Sequence, residues 1–259
     1  MTDRSTFSWP KQQRCAISMT YDDAAPVQHE LAAPLLAEKG LKGTFYMPAH
    51  RGVTEGIENW RRVAELGHEL GSHTLFHPCR REPPERYPWL PAHYDLCDYT
   101  ADRWADEIRV SNCLLRLIDQ RTERTFAYPC CHTTAGRGDQ VVDLQDLVLQ
   151  HFVAGRGPSG RPRMVDPVRP NFGALGSLGG DRKTFEQLKH DVEEAAECGK
   201  WALFMFHGVG KGTHPIFIEA DQHALFVDYL ADNADTIWTS SVVEVAKYLK
   251  TRDTSARSG

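Results

Sequence analysis

No window of this chain reaches the roughly 18 apolar residues that a membrane-spanning helix requires, which sets aside a protein threaded through a bilayer by helices. The opening stretch MTDRSTFSWPKQQRC lacks the apolar centre of a signal peptide. The expectation is therefore a cytoplasmic protein, unless a leader has been removed. There is no basic excess: 30 Lys and Arg stand against 35 Asp and Glu, a formal net charge of −5. A nucleic-acid partner is not expected on that balance. The seven cysteines (Cys15, Cys79, Cys97, Cys113, Cys130, Cys131 and Cys198) are odd in number and contain no CxxC pair. That argues against a disulfide scaffold and against a Cys-rich zinc site. Internal repeats and a convincing linker are also missing, so a single domain is expected.

What is present is the composition of a globular protein, with 41% hydrophobic and 25% charged residues over 259 positions. That length is ordinary for one α/β barrel. Strand-like and helix-like segments alternate along the chain. The short apolar run RCAISMTYDD reads as a first buried strand ending in carboxylates. It is followed by a helix over 26–40, with Pro26 in its first turn and Gly40 at its C-terminal cap. GTFYMPA reads as the next strand, NWRRVAELGH as a helix opened by Asn59, and HELGSHT as a third strand. A long helix from about 99 to 119 carries Trp104, Ile108, Leu115 and Ile118 near helical spacing. TFAYPCC is a fourth strand, with a helix expected over 139–150. Further on come a helix over 183–198, the strand WALFMFHGVG, a helix over 221–233, the strand TIWTSS and the helix VVEVAKYLK. Repeated β-then-α order predicts a parallel sheet covered by helices. Residues 1–250 are expected to form the domain, and 251–259 a disordered tail.

Two irregular stretches interrupt the pattern. Residues 79–99 are rich in proline and are expected to expose Tyr87, Trp89 and Tyr94. Residues 155–181 form a Gly/Pro-rich segment carrying Arg156, Arg161, Arg163 and Arg169, of a length that usually marks a functional lid or a link. A solvated surface loop is the plain alternative for both. Cys113 and Cys198 are expected as small core residues, and His68, His93 and His190 as surface histidines.

The candidate chemistry gathers at the ends of strands: Asp22, Asp23, His73, Cys130 and His207. In parallel barrels that edge carries the active site. Two imidazoles four residues apart, His73 and His77, with a carboxylate suit a divalent cation and leave positions for water and substrate. A spacing of four is compatible with both imidazoles pointing the same way from a helical turn. An adjacent carboxylate that stays unbound is free to take a proton. His207, past an apolar strand, is either a buried core histidine or an acid beside the metal.

The ordered segments TYDD (20–23), SHTLFHP (72–78), FAYPC (126–130) and FMFHGVG (204–210), with GTFYMPA between them, resemble the motifs of the polysaccharide deacetylases, the NodB-like domains of carbohydrate esterase family 4. The resemblance spans about residues 14 to 210 and implies a distorted (β/α) barrel. It further implies Asp22 as general base, Asp23, His73 and His77 as metal ligands, a backbone N–H near Cys130 for the oxyanion, and His207 as general acid. Where many relatives place an Arg-Pro-Pro-Tyr run, this chain reads Ala127-Tyr128-Pro129-Cys130. The arginine that orients the base is therefore missing from that motif. The family's aspartate that tunes the acid is not evident either; Asp166 and Asp181 lie in the right interval without a distinguishing context. Cys130 and Cys131 are otherwise read as inert packing, and His214 and His223 as local extras.

The expectation is thus a metal-dependent hydrolase removing an acetyl group, foremost the N-acetyl of a glucosamine unit, from a sugar or oligosaccharide. Zinc is the first choice of cofactor, with cobalt, nickel and manganese as candidates. Tyr128 and Trp89 are candidate substrate contacts. An amide hydrolase of the same fold acting on a small cyclic ureide or imide is the alternative, and a non-catalytic sugar- or metal-binding module is the rival from another class. Neither a nucleic-acid nor a membrane partner is expected, and the oligomeric state is not legible.

Overall fold

The computed structural model describes residues 7–54, 56–159 and 162–257. Its centre is a closed ring of seven parallel strands: β1 (Cys15–Asp22), β2 (Thr44–Met47), β3 (Glu69–Ser72), β4 (Phe126–Ala127), β7 (Gly155–Ser159), β8 (Leu175–Gly179) and β9 (Trp201–Phe206). Pairing of Ala16–Tyr21 with Trp201–Phe206 closes the ring. Two short two-stranded pairs lie outside it, β5 (Thr134–Ala135) with β6 (Val142–Asp143), and β10 (Gly208–Val209) with β11 (Phe217–Ile218).

The barrel is distorted at β1. Its upper half, Thr20–Asp22, pairs with β2, whereas its lower half, Cys15–Ile17, pairs on the same side with β12 (Ile237–Thr239). Eight α-helices surround the ring: α1 (Ala33–Glu38), α2 (Ala49–Thr54), α3 (Ile57–Glu65), α4 (Ala101–Asp119), α5 (Gln145–His151), α6 (Phe185–Cys198), α7 (Ala220–Asp232) and α8 (Val242–Arg257).

Side chains alternate across each strand, and β1 shows what each face requires. Ile17, Met19 and Tyr21 join an apolar cluster with Leu36, Trp60, Phe204 and Phe226 beneath the helices. The other face turns into the barrel and is polar: Ser18 bonds to Ser240 and Trp201, and Thr20 donates to the Phe204 carbonyl. One polar layer of the lumen is centred on Glu69. Glu69 accepts from Thr44, from the Thr125 amide and hydroxyl, and from the Val243 amide at the start of α8. Above it the Tyr46 ring lies over Gly71, where a Cβ would approach the ring to 2.4 Å. Only glycine at that position leaves room for Tyr46, and Tyr46 in turn supports the site described below.

Several sequence expectations change. The Gly/Pro-rich segment 155–181 holds two barrel strands, β7 and β8, rather than a lid. The helix expected over 139–150 begins only at Gln145, because Val142–Asp143 pairs with Thr134–Ala135. Asn59 does not open α3, which starts at Ile57 after Gly56. α8 continues to Arg257, past the point where a disordered tail was expected, and residues 258–259 lie outside the described residues. Cys113 and Cys198 are exposed rather than in the core. His68 is the reverse: it is buried, accepts from the Gly43 amide and reaches the Ala33 carbonyl, and burial pushes its pKa down to about 4.

Candidate active site

Consecutive residues on a strand point to opposite faces, so two adjacent carboxylates share a site only if the chain turns. Asp22 ends β1 facing the lumen. Asp23 and Ala24 then adopt φ of +77° and +55°. This left-handed turn, uncommon for residues with a Cβ, brings the Asp23 carboxylate to the same edge as Asp22. The Asp23 amide donates to the Tyr46 carbonyl at the end of β2, which anchors the turn.

His73 and His77 meet by a related device rather than on a helical turn. The stretch after β3 is irregular, with Thr74 and His77 at φ of +66° and +60°. The two rings stand 4.7 Å apart edge to face. His73 Nδ1 bonds to the Ala127 carbonyl at 2.8 Å, leaving Nε2 as the outward nitrogen. His77 Nε2 lies 3.2 Å, and His73 Nε2 3.8 Å, from Asp23 Oδ1. Burial lowers the pKa of both imidazoles, that of His77 to about 4. Burial alone would raise the Asp23 carboxyl, but His77, His214 and His73 outweigh it and hold the group well below the usual carboxylate range. Two imidazole nitrogens and one carboxylate oxygen, all within 4.8 Å of one another, match the donor number and chemistry of a divalent-cation site.

The arginine absent from the third motif enters from another strand. Arg156, on β7, is fully buried and donates to Asp22 Oδ2 at 2.5 Å. Its guanidinium also lies over the Tyr46 ring at 5.1 Å and within 3.4 Å of the Thr20 hydroxyl. Asp22 is itself buried, and its other oxygen, Oδ1, has no hydrogen-bond partner among the described residues. One oxygen, Oδ2, is therefore fixed by a cation and lies 3.9 Å from His73 Nε2, while the second is left without a partner. Gln28, also unremarked in the sequence, donates to the carbonyls of both Asp22 and His207, at 2.5 and 2.9 Å, and clamps the ends of β1 and β9 together.

Asp181 proves to be the partner of His207. Its Oδ2 is 2.7 Å from His207 Nδ1, and its Oδ1 accepts the His207 amide at 3.1 Å. Burial works to lower the His207 pKa, but Asp181 together with the Asp22 and Asp23 charges prevails and raises it. Asp166 instead accepts from the Val168 amide in a loop of its own. His214 also reaches the site: its Nε2 lies 3.4 Å from Asp23 Oδ2. His223 does not, since it is buried against the Tyr21 hydroxyl.

Cys130 is not inert packing. It forms a disulfide with Cys79, tying the loop that follows His77 to the turn after β4. That turn is left-handed at Cys130 and Cys131, with φ of +52° and +60°, and its next two amides are spent on Tyr128 and Pro129 carbonyls. Residues 79–99 are not a loose loop. Arg137 binds Glu82, Asp95 and Asp98, and Arg80 binds Glu82. Tyr87 is buried there, Tyr94 half-buried, and Trp89 is 57% exposed with its ring 5.8 Å from that of His77. Tyr128 is kept from the site: it is buried beside Trp104 and Phe126, and its hydroxyl donates to the Gly173 carbonyl. Of the other arginines of segment 155–181, Arg163 pairs with Asp191 and Glu194, and Arg161 lies outside the described residues.

A closed parallel barrel with its polar constellation at the carboxyl edge of the strands places the protein among the (β/α) barrels that work at that edge. Residues 10–142 match the family model described as polysaccharide deacetylase, and the chain belongs to that family. The family's characteristic activity is hydrolysis of amide or ester bonds; no relative named below acts on a cyclic ureide or imide, so that alternative gains no support. Among curated proteins, a gellan lyase from a Bacillus species is 26% identical over 275 aligned residues. The alignment takes in 98% of this chain but only 10% of that protein, so the chain spans about a tenth of the relative's length. A putative polysaccharide deacetylase from Mycobacterium smegmatis shares the fold with a TM-score of 0.66 at 13% identity, covering 95% of this chain and 94% of that one. A family 4 acetyl xylan esterase from Clostridium thermocellum, solved with a cobalt ion, matches with a TM-score of 0.56 at 14% identity over 90% and 91% of the two chains. No helix among the described residues is long and apolar enough to cross a membrane.

Proposed function

We propose that the protein is a divalent-metal hydrolase that removes an acetyl group from an acetylated sugar or oligosaccharide, the N-acetyl of a glucosamine unit foremost. The observation that carries this reading is Asp22: it is buried, its Oδ2 is held by Arg156 and lies 3.9 Å from His73 Nε2, and its Oδ1 has no hydrogen-bond partner among the described residues. Asp23, His73 and His77 would hold the cation. When bound there, a divalent ion polarises an acyl carbonyl and acidifies a water; zinc is the first expectation, and the cobalt in the Clostridium thermocellum esterase supports a site of broad selectivity.

The remaining work falls to side chains. Asp22 accepts the water's proton at its unpartnered Oδ1, while Arg156 holds Oδ2 in place. The Cys130 amide, at the left-handed turn, donates to the developing oxyanion. His207, aligned at Nδ1 by Asp181, gives the proton on Nε2 to the departing amine or alkoxide. Acetate and the freed sugar leave. Trp89, exposed beside His77, offers a flat apolar face to a sugar ring. The Cys79–Cys130 disulfide supports an oxidising compartment over the reducing cytosol that the opening residues suggested.

Acetate release tests the reading. Chelated protein is assayed on N-acetylated glucosamine oligomers and O-acetylated xylan before and after divalent metal is added, with Asp22→Asn alongside. Metal-restored release in the parent, with metal retained but turnover lost in the variant, is expected. Bound metal without release from any substrate would overturn the hydrolase reading in favour of a binding module.

A further inference from the structure

The Asp23 carboxylate has two oxygens, and only one faces the paired imidazoles. Oδ1 is turned to His77 and His73, whereas Oδ2 lies 3.4 Å from His214 Nε2. We infer that His214 is a positioning residue of the metal site: its Nε2–H holds the outer oxygen of Asp23, so that the carboxylate meets the cation through Oδ1 alone. This rests on the reading of Asp23, His73 and His77 as cation ligands.

The tautomer follows from the neighbours. An ionised carboxylate only accepts, so the nitrogen facing Asp23 carries a proton. The other nitrogen, Nδ1, lies 3.2 Å from the Ile216 amide and 2.9 Å from the Ile216 carbonyl. A neutral ring accepts from the amide, and a charged ring donates to the carbonyl. In either state Nε2 keeps its proton, directed at Asp23 Oδ2. His214 is not itself part of the compact donor group, which comprises Asp23, His73 and His77.

The segment that carries His214 is built to present it. Gly208 directly follows His207, and a Cβ there would stand 2.6 Å from the Thr213 hydroxyl oxygen and 2.8 Å from His214 Cβ. Gly208 and Val209 pair with Phe217 and Ile218, closing the loop between them. Within it Gly210 and Gly212 take φ of +89° and +86°, and the Thr213 hydroxyl donates to the Gly210 carbonyl. The loop thereby folds back over the end of β9, and the His214 ring lies nearly parallel to that of His207, with centroids 5.1 Å apart. Spaced glycines in HGVGKGTH are the sequence trace of this arrangement.

Outer-shell partners of this kind typically change metal affinity by about 10- to 100-fold. The test titrates chelated full-length protein with Co2+ alone, reading the visible absorption bands of the ion, and with Zn2+ against a chromophoric chelator. The proteins compared are the parent, His214→Ala and His214→Gln. His214→Ala is expected to bind both ions about 10- to 100-fold more weakly and to shift the Co2+ bands, while the metal-free protein melts as the parent does. His214→Gln, which retains an N–H donor, is expected to recover part of the affinity and of the spectrum. Parent-like affinity and bands in His214→Ala would overturn the inference and leave the metal reading standing. A parent that binds neither ion would overturn both.

Discussion

Replacing Arg156 by methionine leaves the Asp22 carboxylate in the barrel lumen without its cation, and the consequence can be sized. Both side chains are essentially inaccessible, and Arg156 sits 2.5 Å from Asp22 Oδ2. Breaking a buried pair by removing one partner costs about 3–5 kcal/mol, because a desolvated charge is left uncompensated. For a domain of this size each kcal/mol lowers Tm by about 2–4 °C. Arg156→Met is therefore expected to melt about 6–20 °C below the parent. Asp22→Asn with Arg156→Met removes both charges and should recover a large part of that loss, giving a double-mutant coupling well above the roughly 0.5 kcal/mol scatter of independent sites. Activity provides the second readout: a general base contributes about 10²–10⁴-fold, and an Asp22 free to rotate should forfeit much of that. Thermal melts of the four proteins, followed by acetate release from each that folds, make the measurement. An Arg156→Met variant that melts within 2 °C of the parent, or a coupling indistinguishable from zero, would refute the assignment of Arg156 as the cation that holds the base.

Asp181→Asn should move the alkaline limb of the pH–rate profile downward: Asp181 helps raise the His207 pKa, so its loss lets the acid deprotonate at lower pH; a limb that stays in place would assign that limb to another group. Reducing the Cys79–Cys130 bond, which closes a 51-residue span, should cost about 4 kcal/mol by the loop-entropy relation, read as a lower Tm under reductant that a Cys79→Ser, Cys130→Ser variant reproduces without it. Trp89→Ala should raise KM for an oligosaccharide by roughly 3- to 10-fold, the scale of a ~0.5–1.5 kcal/mol ring contact, with kcat little changed; a fall in kcat alone would take Trp89 out of substrate binding.

How much of this was readable in advance depended on whether a residue sat in a strand with a recognisable pattern. Asp22 and His207 follow runs rich in buried apolar residues, so both strand and functional end were visible, while His73, after the short strand Glu69–Ser72, was marked by its spacing from His77. Arg156 was not, because GRGPS and LGSLG lack the β-branched and aromatic residues of ordinary strands. There the ring's closure imposes the strand, and small residues permit it: a Cβ on Gly157 would meet Ala174 at 2.8 Å. Asp181, just past the end of β8, was hidden for the same reason. The Cys79–Cys130 bond joins positions far apart in the chain, and nothing in their local spacing marks them as a pair. His68 and Cys113 were assigned to the wrong side of the surface because single polar or small residues carry little periodic signal.

The divided edge of β1 bears on how the chain is made. This strand leaves the ribosome well before its neighbours at Trp201–Phe206 and Ile237–Thr239. At about 5–20 residues per second, the 222 positions between Cys15 and Ile237 take about 11–44 s to synthesise. Throughout that interval the lower half of a strand that is buried along its whole length in the finished barrel lacks its partner at Ile237–Thr239, although Thr20–Asp22 can pair early with β2. An unpaired strand edge is a template for foreign strands, so the nascent chain depends on shielding until Ile237–Thr239 arrives. Truncation ahead of Ile237 would make that exposure permanent.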